Sequence, residues 1–287
     1  MTKKKNVFKI IGLVLVSLFC FGACVSVFRG KSQTQPQQQT QTEAKTVNEA
    51  CESASGAFSL KLRGEKELIV SEEEKNTYLG GEKTESITIT GGTINVTGGE
   101  LAVIEAANAG TLTFKSVTIK DKTENSQRVA YCNYIRFSGK LRFENCTIDS
   151  IYLKNGAQAE FINCTFISST SQWYSVWVAD GSAQFKNCKF TGYRGLKINE
   201  FEKEDVLNVS INGCTFDNLS EKPGVVIGKF LVDPLNGVIT ITNNRFINCQ
   251  PWDNVGSIEG VDGIYESDIL TSELNFTQEN NVLEFTE

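Results

Sequence analysis

Phe143-Glu-Asn-Cys-Thr-Ile148, Phe161-Ile-Asn-Cys-Thr-Phe166 and Phe185-Lys-Asn-Cys-Lys-Phe190 are three copies of one hexad, and their recurrence decides the fold. The pattern runs apolar, any, Asn or Gly, small or Cys, any, apolar. Looser copies stand at Ile89–Ile94, Phe114–Ile119, Ile211–Phe216 and Ile241–Phe246, with a worn one at Asn280-Asn281-Val282-Leu283. From Gly92 to Asn244 the fourth positions are 18 to 30 residues apart. A fixed motif at this kind of interval marks a stack of structural repeats.

Each hexad reads as two short strands around a tight corner. The third position must accept a left-handed backbone, which Asn and Gly do most cheaply. The fourth and sixth positions point inward and the fifth outward, as a pleated strand requires. A unit of this length cannot close its own core, so units must stack about 4.8 Å apart to bury a continuous apolar face. The variable interval suits a coil whose loops differ in length. A leucine-rich repeat would hold a stricter period and a Leu-x-x-Leu-x-Leu signature, which is missing. The expectation is an all-β chain, a single-stranded right-handed parallel β-helix (a solenoid) of roughly seven to eight rungs.

The Phe-x-Asn-Cys-x-Phe units resemble those of the right-handed parallel β-helix superfamily, the pectate-lyase-like fold. The resemblance spans residues 84–285. It implies the coil but no single activity, because lyases, hydrolases, adhesins and surface proteins share it. Such units are common in its uncharacterised bacterial members, and the chain resembles a lipoprotein-type one.

Outward from the repeat, the ends read differently. Lys3, Lys4 and Lys5 precede an apolar run from Ile10 to Phe28. Within it Phe21-Gly22-Ala23-Cys24 resembles a lipobox, which implies lipidation of Cys24. The alternative is an uncleaved signal anchor, since the run is just long enough to span a bilayer. Either places the remainder outside the cytoplasm, at a bacterial cell membrane or surface. Residues 29–50, rich in Gln and Thr, have no hydrophobic periodicity and are expected to be a flexible tether. Residues 51–83, in which Phe58, Leu60 and Leu62 alternate, are expected to be an N-terminal cap. The β-helix domain is expected over 84–287.

Cys146, Cys164, Cys188 and Cys214 share the fourth hexad position and are expected to stack as buried free thiols. Their parallel Cβ vectors suit disulfides poorly. Cys51, Cys132 and Cys249 lie outside that ladder, and spacing alone does not pair them. Asn145, Asn163 and Asn187 are expected to form a second ladder at the corner, extended by Asn243 beyond Gly213.

The strand before each hexad carries the candidate site. Ile135, Phe137, Ile151, Leu153, Val176, Val178, Leu196 and Ile198 alternate inward, so Arg136, Tyr152, Trp177 and Lys197 form an outward row, with Glu105 extending it below. Trp173, Tyr174, Asp180 and Tyr193 fall in nearby loops. Such a row could hold the rings and acid groups of a polysaccharide. It also suits a plain solvated sheet face, because Tyr and Trp favour strands.

Composition narrows the chemistry. The 287-residue chain has a net charge of −6, which disfavours nucleic acid as a partner. It contains no histidine, which removes the commonest general base and metal ligand. No metal or cofactor is expected. Glycoside hydrolysis needs two carboxylates across the bond, and the row offers only Glu105 with Asp180 at its edge. A lyase could use Arg136, Lys154 or Lys197 as base, but these rungs lack the acidic calcium cluster that the resemblance to lyases implies. The leading expectation is a membrane-tethered surface protein with a structural, adhesive or glycan-binding role, partnered by the membrane and by a polysaccharide or another surface protein. The alternative is a carbohydrate-active enzyme of the pectate-lyase-like class.

Overall fold

A computed structural model describes residues 37–38, 44–71, 76–99, 102–122, 134–168, 174–198, 206–219, 224–227, 236–249, 264–265 and 275–286. The chain divides into Met1–Gln35, which lies outside the described residues along with the Cys24 and anchor expectations, and Pro36–Glu287, which holds the coil. Among the described residues no helix is long and apolar enough to cross a membrane.

The hexads do what their pattern demands. Each turn of the coil supplies one strand to each of three parallel sheets. One turn runs Gln158–Ile162 in sheet A, Thr165–Ser168 in sheet B and Val176–Val178 in sheet C, then returns to sheet A at Gly181–Lys186. Sheets A, B and C contain 10, 9 and 8 strands, and every neighbouring pair in the turn just traced is parallel and in register. The hexad is the corner from A to B. Its third position is left-handed throughout: φ is 54° at Asn145, 53° at Asn163 and Asn187, 65° at Gly213, 57° at Asn243 and 55° at Asn280. Ser116, at φ 53°, shows that a small polar residue also serves.

In-register stacking turns each inward position into a column. Rings of Phe143, Phe161 and Phe185 stack in sheet A with centroids 4.8 and 4.9 Å apart. Phe166, Phe190, Phe216 and Phe246 stack in sheet B at 4.8, 4.5 and 4.8 Å. These spacings match the strand separation, so the backbone ladder and the ring ladder reinforce each other. Outside, Lys115, Arg142, Glu144, Glu160 and Lys186 form ion pairs across rungs of sheet A, and being partly exposed they add little individually.

The fourth positions form the expected ladder. Cys146, Cys164, Cys188 and Cys214 are buried and free. Each thiol donates to a carbonyl of the rung below, at Phe114, Phe143, Phe161 and Phe185, over 3.4–3.6 Å. Cys51 and Cys249 are also buried and free, while Cys132 lies outside the described residues. Burial pushes the Cys51 and Cys249 thiols up to about 12. A bond to Cys164, then burial, pushes Cys146 up as well. At Cys164 the neighbouring Cys146 thiol lowers the value, but the Cys188 thiol and burial outweigh this and leave it at about 12.

The N-terminal boundaries differ from expectation. Gly56–Lys61, Glu65–Val70 and Asn76–Leu79 are strands of sheets A, B and C, so residues 51–83 supply a full turn of the coil. The covering element is helix α1, Val47–Cys51, which starts inside the stretch expected as tether. Thr46 and Glu49 cap it reciprocally, and Val47, Ala50 and Cys51 close the end of the core. The Asn48 carboxamide both donates to and accepts from the Ile69 backbone on the first strand of sheet B. Gln37–Gln38 pairs with Phe58 and Ser59 on the first full-length strand of sheet A. Unpaired strand edges invite further pairing, which explains why polar chain is placed over them.

Candidate functional site

The strands of sheet C are short, and in Ile135–Phe137, Ile151–Leu153, Val176–Val178 and Leu196–Ile198 alternation leaves one outward residue apiece. Arg136 pairs with Tyr152, Tyr152 with Trp177 and Trp177 with Lys197, so the four stand in one column, each half-buried. Their inward neighbours Ile135, Phe137, Ile151, Leu153, Val176, Val178, Leu196 and Ile198 are buried.

Glu105 does not extend this column. Phe137 pairs with Ile104, which shifts Glu105 next to Ser138, and the Ser138 hydroxyl donates to its carboxylate at 2.8 Å. The length of the preceding loop sets this register, and alternation cannot reveal it. Asp180 accepts from the Gly156 backbone N–H at 2.5 Å. Tyr193 is exposed beside the sheet, and Trp173 lies outside the described residues.

Residues from the loops complete the face. The Tyr174 backbone N–H donates to the Tyr134 hydroxyl at 2.9 Å, and both rings are buried. Tyr134 lies 6.1 Å from Tyr152 and 5.8 Å from Trp177, centroid to centroid, and Tyr152 lies 5.0 Å from Trp177. Burial pushes the Tyr174 phenol up, partly opposed by the Arg194 charge. Cations sit over this cluster. Arg136 and Lys154 are 5.9 and 5.8 Å from the centre of the Tyr152 ring. Arg194 and Lys197 are 5.5 and 5.8 Å from Tyr174, and Lys197 is 4.3 Å from Trp177.

This arrangement changes what the rings can do. Rings that carry cations are not open platforms for a sugar; they hold the charges in place, each contact contributing about 0.5–1 kcal/mol at an exposed site. Sequence reasoning missed Tyr134 and Arg194 as parts of the face. Their only signal is that they flank the sheet C strands at Ile135–Phe137 and Leu196–Ile198. Among the described residues, no group of three or more His, Cys, Asp or Glu side chains is placed to hold a metal ion.

The fold and face define a parallel β-helix with a cationic, ring-supported outer sheet. Comparison with family models, curated proteins and solved structures returns no match.

Proposed function

We propose that this chain is a membrane-tethered, extracytoplasmic protein of the pectate-lyase-like superfamily that binds an acidic polysaccharide on sheet C. The observation that carries the reading is the set Arg136, Lys154, Arg194 and Lys197, all lying over aromatic rings on one face. Held cations lose little freedom on binding an anion, which favours affinity. Lipidation at Cys24 would tether the coil to the membrane.

Titration calorimetry with acidic and neutral polysaccharides tests the binding. An acidic polymer binds, binding weakens as salt rises, and Lys197→Ala weakens it about tenfold, the loss of one charge-assisted hydrogen bond. Equal binding of neutral dextran would sink the reading. The second reading, a polysaccharide lyase, draws on the same Arg and Lys side chains as bases. It predicts unsaturated product absorbing in the ultraviolet, lost in Arg136→Ala or Lys197→Ala. Mass spectrometry of the mature N-terminus tests the anchor: a diacylated peptide beginning at Cys24 is expected, and an intact Met1 peptide excludes processing.

A further inference from the structure

Two of the four cations on the sheet C face are tied to the rest by a chain of hydrogen bonds that starts at Tyr134. Tyr134 directly precedes the strand Ile135–Phe137, and Tyr174 lies just before Val176–Val178. The strand Ile151–Leu153 stands between those two, so the Tyr134 hydroxyl reaches past one rung to accept from the Tyr174 N–H at 2.9 Å. Ser175, the next residue, is fully buried and continues the chain. Its N–H donates to the carbonyls of Arg194 and Gly195 at 3.1 and 2.8 Å, and its hydroxyl donates to the Gly195 carbonyl at 2.8 Å. Arg194 and Lys197 in turn lie over the Tyr174 ring. The buried Tyr134 ring meanwhile packs edge-on against Trp177, the ring under Lys197, and tilted against Tyr152, the ring under Arg136 and Lys154. One side chain thus meets all three rings, Tyr152 and Trp177 through its own ring and Tyr174 through its hydroxyl.

Resting on the acidic-polysaccharide reading, we infer that Tyr134 is the positioning residue of that site. Its hydroxyl holds the Tyr174–Ser175 segment, and through it Arg194 and Lys197, in place beside Arg136 and Lys154, so that all four cations meet the polymer together. Take the hydroxyl away and the Tyr174 N–H loses its acceptor in a buried place, which drives the segment outward to find water. The Tyr174 ring moves with it. Arg194 and Lys197 then regain freedom that binding must remove again.

Calorimetry with polygalacturonate and with neutral dextran, repeated across a salt series, tests this. A charged polymer sheds counterions for each cation that engages it, so the slope of log K against log salt reports how many do so. Tyr134→Phe keeps the ring and is expected to weaken polygalacturonate binding about tenfold and to bring the slope down to about half, as two cations of four disengage. Phe137→Leu, which loosens the core beneath the same strand, is expected to lower the melting temperature and leave the slope as it is. A slope in Tyr134→Phe that falls no further than in Phe137→Leu overturns the positioning role and leaves the acidic-polysaccharide reading intact. Should Tyr134→Phe not fold, Ser175→Ala, which cuts only the hydroxyl bond to Gly195, takes its place: a lower slope supports the inference and an unchanged one overturns it. If the natural protein binds polygalacturonate no better than dextran, both readings fall.

Discussion

The buried corner column is filled in two ways. From Cys146 to Cys214 it is sulfur; at Asn244 and Asn281 the same position holds a carboxamide. Asn244 donates to the Ile211 carbonyl at 3.0 Å and accepts from the Cys214 backbone N–H at 2.8 Å. Asn281 repeats this one rung on, donating to Ile241 at 2.8 Å and accepting from the Asn244 N–H at 3.0 Å. The thiols reach the corresponding carbonyls over longer, weaker contacts. The position thus calls for a small buried group that can donate to the rung below. Thiol meets that demand mainly by packing, and amide meets it by saturating both backbone partners.

The comparison breaks most visibly at Asn244. Asn244→Leu leaves the Cys214 N–H and Ile211 carbonyl unsatisfied in a fully buried site, and urea unfolding should show a loss of about 3 kcal/mol. Asn244→Cys should lose only about 1 kcal/mol, because the thiol still donates weakly. The converse exchange, Cys188→Asn, forces a larger group into a column of sulfurs and should lose about 2 kcal/mol by overpacking.

Alkaline pH should separate the two stretches next. Cys164 and Cys188 stand at about 12 when folded, against an ordinary 9.0. Above pH 9 the unfolded chain releases these protons and the folded chain keeps them. Stability is therefore fully present below pH 9 and falls as pH rises toward 12. Replacing Cys146, Cys164 and Cys188 with Ala should flatten that decline in unfolding free energy measured from pH 8 to 11; an unchanged slope would refute the assignment. The smallest effect is at the neighbouring corner ladder, where Asn163 donates to Asn145 and Gly213 interrupts the run. At Gly213 an added Cβ would lie 2.5 Å from the Asn187 Oδ1, the movable end of a side chain. Gly213→Asn should change the melting temperature little, since Asn tolerates the left-handed corner, whereas Gly213→Val should lower it clearly.

What could be read in advance follows from range. The corner ladder, the thiol column and the inward rows of sheet C were legible, because each rests on residues a few positions apart and on stacking that repeats them. The helix at Val47–Cys51 had a local signal in Thr46-Val-Asn-Glu49, but it is submerged in a Gln- and Thr-rich stretch whose composition argues for disorder. The first turn lacks the Asn-Cys corner and so escaped the repeat. Arg136, Tyr152, Trp177 and Lys197 were placed correctly in one column. Glu105 was not, because the loop sets it two positions along, beside Ser138, and a two-residue shift keeps it outward and leaves no trace in the alternation. The meeting of Tyr174 with Tyr134 joins residues 40 apart in sequence, and no local pattern encodes it.

Asn48 deserves its place in the mechanics of the coil. By clasping the Ile69 backbone it acts as a false strand that offers no further edge of its own. The end of the coil is consequently covered unevenly: the Ile69 backbone of sheet B is taken, whereas Gln37–Gln38 is the end strand of sheet A and Asn76–Leu79 that of sheet C.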